Sequence, residues 1–449
     1  MNLFVSLSEK PAVKTDGCND LRKRFLLKQR RRFFTVAAYA CFLTAYPFPG
    51  PTARAEETPE YHTPLAGEAC DIECLGRKAT LLQRNRENTR AFVLGGSLFA
   101  PELAGHSFIP IGALYYKHRF DDIRVRGTFS LLVNELDASK TLGKFQILGH
   151  LDNNTIPFAS SEIEEGSEVK ATALKWGTVN GRLGVGYRLP VSPYQTDNDL
   201  RVQLFYQAGY LYSRRTADTG AGMLLPPDTM VQGALFRIRY DALQRNLMEL
   251  PHQGIATGLD AEYLHRDNWS DANYGAGLFT KAQTQDYLKL SGYLNIATGI
   301  PLLSERNRLL TSFYGGFAPY GTLDRFSTFR VGGGPIPSEA DDLERQVFPG
   351  AVFSQFPVSG YLIGALEYRR EIFSFLYLHL RGTYARVRRE RFEGDEGNYL
   401  GESGQVLSTG LTSGFLWRSL LHLEYSYDSK ILRSGSRGSN MILLWSKSF

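Results

Sequence analysis

From about residue 91 to the C-terminus the side chains alternate between apolar and polar with a period of two. In the run from Leu200 to Tyr212, Leu200, Val202, Leu204, Tyr206, Tyr210 and Tyr212 share one face, and Arg201, Gln203 and Gln207 share the other. Further on, Leu376, Leu378, Leu380 and Tyr384 oppose Tyr377, His379, Arg381 and Thr383, and Leu421, Leu423, Tyr425 and Tyr427 oppose His422, Glu424 and Ser426. This period excludes amphipathic helices and predicts strands with one apolar and one polar face. Asp122–Glu135 reads as one strand, and Val169–Trp176 and Thr178–Leu189 read as two; the whole set numbers about sixteen. A soluble sandwich alternates in the same way, so the choice of solvent rests on other features.

Three of them favour lipid. Tyrosine and tryptophan recur near strand ends, as at Tyr115, Tyr116, Tyr206, Tyr210, Tyr212, Tyr425, Tyr427 and Trp445. The apolar–polar segments have about the length of a tilted membrane-spanning strand. The N-terminus carries an export signature: a basic run from Arg22 to Arg32, the apolar stretch Phe33–Phe48, then Ala53-Arg54-Ala55 as a small-x-small cleavage site. The chain is therefore expected to be all-β, an antiparallel transmembrane β-barrel of about sixteen strands. Residues 1–55 are expected to be a signal peptide, 56–90 a short periplasmic segment with one helix over about Ile72–Asn88, and 91–449 the barrel.

The 51 Lys and Arg against 46 Asp and Glu suggest a basic protein, but ten of the former and three of the latter lie in residues 1–55, leaving 41 and 43. A balanced mature chain gives no footprint for nucleic acid. Two of the four cysteines, Cys18 and Cys41, fall in the same leader. Cys70 and Cys74 remain, as two thiols or a local bridge, with too few nearby ligands for zinc.

One connection departs from the strand pattern. Phe329–Ala351 holds Gly332, Gly333, Gly334 and Gly350, with Pro335, Pro337 and Pro349, and an arginine, Arg345, among acidic residues. A connection this long is uncommon inside a run of strands unless it is functional or disordered, and glycines stiffened by prolines favour an ordered loop.

Two stretches and the terminus resemble the BamA/TamA or bacterial surface antigen family. Arg237–Tyr263 is similar to that family's strand, Asp, turn, Pro-x-x-Gly, strand arrangement, with Asp241, Pro251 and Gly254 in place. The long loop followed by YLIGALEYRREI resembles the family's extracellular loop between two late strands. The final strand, with Trp445 and the terminal Phe449, resembles the insertion signal of outer-membrane barrels. The resemblance implies that the loop folds into the lumen, that Arg345 pairs with a wall carboxylate, Glu367 first and Glu424 second, and that the first strand meets the last at a weak seam. It departs from the family where Arg345 is followed by Gln-Val-Phe-Pro-Gly, where Arg381 stands at an expected acid, and where the lead-in is too short for a POTRA domain.

The resulting expectation is a bacterial outer-membrane barrel acting in insertion or translocation of protein or lipid. Its partners would be outer-membrane lipid, the assembly machinery that inserts it and a separate periplasmic protein. The alternative is a porin-like diffusion pore. No cofactor, metal or catalytic group is expected: His118 beside Asp121 and Asp122, and His265 beside Asp267, match no hydrolase arrangement.

Overall fold

The computed structural model describes residues 61–449 except 75–76, 82–85, 156–158, 275–276, 336–341, 353, 391–398 and 415–418. The expected signal peptide and its cleavage site lie outside the described residues.

Sixteen long antiparallel strands close into a ring. They are β1 (Thr89–Leu103), β2 (His106–Phe120), β3 (Ile123–Ser130), β4 (Val133–Leu142), β5 (Phe145–Thr155), β6 (Ser167–Pro190), β7 (Asp199–Arg215) and β8 (Thr229–Asp241). The ring continues with β9 (Pro251–Arg266), β10 (Asp286–Gly299), β11 (Asn307–Tyr320), β12 (Gly360–Phe373), β13 (Leu376–Glu390), β14 (Tyr399–Gly414), β15 (Ser419–Arg433) and β16 (Ser436–Ser448). Two short strands, Ser160–Glu164 and Gln244–Arg245, pair onto β6 and β9.

The period of two sorts the wall. Leu94, Leu204, Tyr206, Leu259, Phe313, Leu366, Leu380, Leu407 and Leu443 are exposed on the outside, while Gln203, Gln207, Glu367, Arg381, Ser408 and Ser426 are buried on the inside. An apolar exterior on a closed ring is the arrangement that satisfies every backbone group in hydrocarbon, and the wall is that of a membrane-spanning barrel. No helix among the described residues is long and apolar enough to cross a membrane, which says nothing of strands.

Two strand assignments change. Residues 122–135 are not one strand: the chain turns at Leu131 and Leu132, and Ser130 Oγ accepts from Val133 N–H at 3.0 Å and donates to Val133 C=O at 2.7 Å. The turn escapes notice because it is apolar. Conversely, Gly177 does not divide two strands but lies within the continuous β6, opposite Tyr212. The lead-in contains no long helix among its described residues; Cys70–Cys74 pairs with Arg77–Leu81 as a hairpin. A run this short satisfies either period, and pairing decides it. At the rise of a strand the alpha carbons of Cys70 and Cys74 stand about 13 Å apart, beyond disulfide reach.

The main apolar cluster has most of its large side chains at the end of the barrel away from the chain termini, where the pattern of the strands does not place them, and it reaches Leu243, Ala256, Ala297 and Leu310 at the other end. Leu103, Trp176, Trp269, Tyr274, Phe279, Leu323, Phe348 and Phe356, drawn from strand ends and connections, are buried together at the far end. Within it Arg266 meets Asp324 through two 2.8 Å hydrogen bonds and stacks on Trp269 at 4.0 Å, both charges being buried. Asp324→Ala leaves a buried, unpaired guanidinium and is expected to destabilise the protein by about 3–5 kcal/mol. The check is the urea midpoint in a membrane mimetic, with Leu302→Ala, at a fully exposed side chain, as the neutral control.

Candidate functional site: an internal segment bound to the wall

The connection between β11 and β12 folds back on itself. Phe329–Val331 pairs with Phe356–Val358, Phe348 N–H donates to Gly332 C=O at 2.8 Å, and Gly333 N–H donates to Val352 C=O at 3.1 Å. This brings Gly332, Gly333 and Gly334 beside Val347 and sets the residues around 342–350 against the inner wall.

The contacts run around the ring. Arg345 Nη2 donates to Glu135 on β4 at 2.7 Å, and its Nε bonds Asp342 within the segment. Arg239 on β8 donates to Glu344 at 2.7 Å, and Arg237 lies 3.6 Å from the same carboxylate. Both arginines also bind Asp260 on β9. Gln346 donates to the Tyr361 hydroxyl on β12 at 2.7 Å, and Arg381 on β13 reaches Val347 C=O at 3.5 Å. Gly350 N–H donates to Glu424 on β15 at 3.3 Å. A side chain at Gly350, whose φ is +83°, would also collide with Ser426 and Asn440, so only glycine brings the backbone this close to β15 and β16.

Arg345 therefore pairs with Glu135 and not with Glu367. The reason is local: Glu367 is already enclosed by Arg369 at 2.7 Å, His379 at 3.1 Å and Arg381 at 3.5 Å, all from the wall. Glu424 does meet the segment, but at a backbone amide. Glu344, Glu135, Arg237, Arg239 and Asp260 escaped the sequence reading. One signal was present, because antiparallel pairing sets Arg237 opposite Asp260 across the β8–β9 hairpin.

The hairpin motif itself has a physical basis. Asp241 accepts from Leu243 N–H at 3.0 Å and from Arg245 at 2.6 Å, closing the turn, and Gly254 at φ +112° lies where a side chain would strike Ala242 C=O. At the other end of the chain, Trp445 faces outward with its ring 5.2 Å from Phe92, and Phe449 N–H donates to Arg90 C=O at 3.0 Å. The ladder between β1 and β16 runs over ten residue pairs, against seven between β3 and β4, so its pairing is not depleted. His265 binds Asp286 at 2.7 Å and lies 3.8 Å from Asp267, while His118 packs on Phe120.

Comparison with family models finds no match, and comparison with curated proteins finds none either. Among solved structures the chain is similar to BamA from Haemophilus ducreyi lacking POTRA domains 1–3, with TM-score 0.48 and 11% identity over 86% of this chain and 76% of that one. It is also similar to CdiB from Acinetobacter baumannii, with TM-score 0.47 and 12% identity over 85% and 65%, and to CdiB from Escherichia coli, with TM-score 0.48 and 13% identity over 86% and 68%.

Beside the segment lies a polar cavity of about 350 Å³ lined by Arg126, Glu135, His150, Arg182, Arg330 and Tyr361 among others. A second, of about 120 Å³, shares Arg126, Arg239 and Glu344 with it. Among the described residues no group of three or more His, Cys, Asp or Glu is placed to hold a metal. What the arrangement offers is a set of mostly charge-assisted hydrogen bonds between a folded segment and the wall, of which those of Glu344, Arg345 and Gln346 border the cavities.

Burial alone would raise the Glu344 carboxyl, but the guanidinium groups of Arg237 and Arg239 outweigh it and hold it far below the usual range. Because its folded value is depressed, its contribution is complete above the ordinary carboxylate range and is lost only as pH falls toward the folded value. The share of the attachment that rests on Glu344 is therefore expected to be the same at about pH 7 and about pH 5, read as an unchanged difference between the wild type and Glu344→Gln. Glu344→Gln is expected to weaken the attachment by about 1–2 kcal/mol, discounted because the side chain is 34% exposed. Hydrogen exchange at Phe348 N–H, compared at the two pH values after correction for intrinsic rates, checks both statements.

Proposed function

We propose that this chain is a BamA/TamA-type barrel of the bacterial outer membrane that acts in insertion or translocation of protein or lipid, by conformational change and not by covalent chemistry. The observation that carries this reading is the internal segment. It binds the wall at β4, β8, β12, β13 and β15, mostly through polar contacts that are reversible in a wet lumen, and it acts as a plug whose position is coupled to the wall. Its contact at Gly350 also lies on β15 and against Asn440 on β16, the last strand of the ring, so movement of the segment is felt next to the β1–β16 junction. A steady diffusion pore fits less well, since the apolar core fills the far mouth. Outer-membrane lipid and a periplasmic protein are the partners this reading requires.

Ser97 on β1 faces Ile442 on β16 in register. Directly paired antiparallel residues are within disulfide reach. In a background with Cys70 and Cys74 replaced by serine, Ser97→Cys with Ile442→Cys is expected to crosslink and to abolish complementation of a deletion strain until reductant is supplied. Full complementation by the crosslinked protein excludes opening of this junction as the mechanism.

A further inference from the structure

The two ends of the barrel are closed by different physics. The far end is filled by the apolar core. The end at which Thr89 and Phe449 lie is crossed by the residues just before the barrel, Tyr61–Gly67, and by the turn 242–250 between β8 and β9. Tyr61 Oη and Thr63 Oγ1 both donate to Glu371 at the end of β12, the second at 2.7 Å, and the Arg306 guanidinium stacks on the Tyr61 ring at 4.0 Å. Leu247 N–H donates to Pro64 C=O at 2.8 Å, and Ala66 N–H donates to Arg245 C=O at 3.0 Å. Thr63, Ala66, Arg245 and Asn246 are buried by this arrangement. The turn extends far enough for Met248 to lie against Gly414 on β14, five strands from β9.

The 242–250 turn is held to the barrel by Arg86 on Glu249, by Gln195 on Arg245 and by Asn198 on Leu243, whereas Tyr61–Gly67 is held by the few, nearly all polar, contacts just named. A segment with little buried apolar area and a handful of hydrogen bonds belongs to the low-stability end of a structure and opens without global unfolding. It is also connected to the lumen. The smaller cavity is walled by Arg124 and Asp241, and Asp241 holds Arg245, the residue whose carbonyl receives Ala66.

We infer that Tyr61–Gly67 is a releasable strap: it leaves Glu371 and the 242–250 turn as a unit and opens the polar cavities to the terminal side of the barrel while the far end stays shut. The strap needs only the barrel geometry, so it stands whether or not the barrel inserts or translocates other molecules.

The test uses the full chain in a membrane mimetic. Tyr61→Phe with Thr63→Val keeps shape and removes both hydrogen bonds to Glu371 without touching the wall. Exchange of the Ala66 and Leu247 amides is expected to rise by roughly tenfold or more, the effect of losing one hydrogen bond to a charged group, with the β15–β16 ladder unchanged. With Cys70 and Cys74 replaced by serine, labelling of Ser139→Cys, in the smaller cavity, by a charged thiol reagent added from the terminal side is expected to speed up with it. Unchanged exchange at Ala66 and Leu247 overturns the strap. Faster exchange there and equally in the β15–β16 ladder also overturns it, because the segment then does not move by itself. Faster exchange with unaltered labelling of Ser139→Cys overturns the claim that the strap covers the cavities.

Discussion

A strand in hydrocarbon has no water to satisfy its N–H and C=O groups, so the sheet must close on itself, and closure creates an interior. Everything else in this protein follows from having that interior. The alternation that turns leucine and tyrosine toward lipid turns polar and charged side chains inward, as at Gln203, Gln207, Glu367 and Arg381. A ring of sixteen strands encloses more space than these side chains fill. The space is occupied by the β11–β12 segment, whose own charges answer those of the wall.

Charge pairing in such a place sets position more than it adds stability. Removing ions from water is expensive, and an ion pair recovers that expense only with good geometry and further hydrogen bonds. The cluster of Arg237, Arg239, Asp260 and Glu344 meets this condition, since each guanidinium is shared between a carboxylate of the wall and one of the segment. A mismatched placement of the segment would strand those charges, so register is enforced by the penalty for leaving it. The far end differs: there the connections supply enough apolar surface to build a core, and the Arg266–Asp324 pair is buried inside it.

The wall was legible in the sequence because its signal is repeated. Strand type and facing direction follow from a period of two, and the count of about sixteen also came out right, although by compensation. The apolar turn at Leu131 and Leu132 hid one boundary, and Gly177 suggested one that does not exist. The Asp241, Pro251 and Gly254 pattern and the glycine-rich connection were also visible, because each reflects a backbone geometry that few residues allow. What stayed hidden depends on distance across the ring. Nothing local tells Arg345 to reach Glu135, 210 residues earlier, in preference to Glu367, because the choice is made by the neighbours that already satisfy Glu367. The apolar core was hidden for a similar reason, being assembled from single residues of many connections. The hairpin of Cys70–Cys74 with Arg77–Leu81 overlaps the Ile72–Asn88 stretch expected to be helical, because strands of five residues are too short to show either period.

The central claim is that the segment is fastened to the wall across the ring, and a double-mutant cycle on Arg345→Ala and Glu135→Ala measures it most directly. With unfolding of the segment followed by hydrogen exchange in a membrane mimetic, the account predicts a coupling of about 1–3 kcal/mol between the two positions. A cycle in which the two substitutions simply add would mean that the segment and β4 do not meet, and would contradict it.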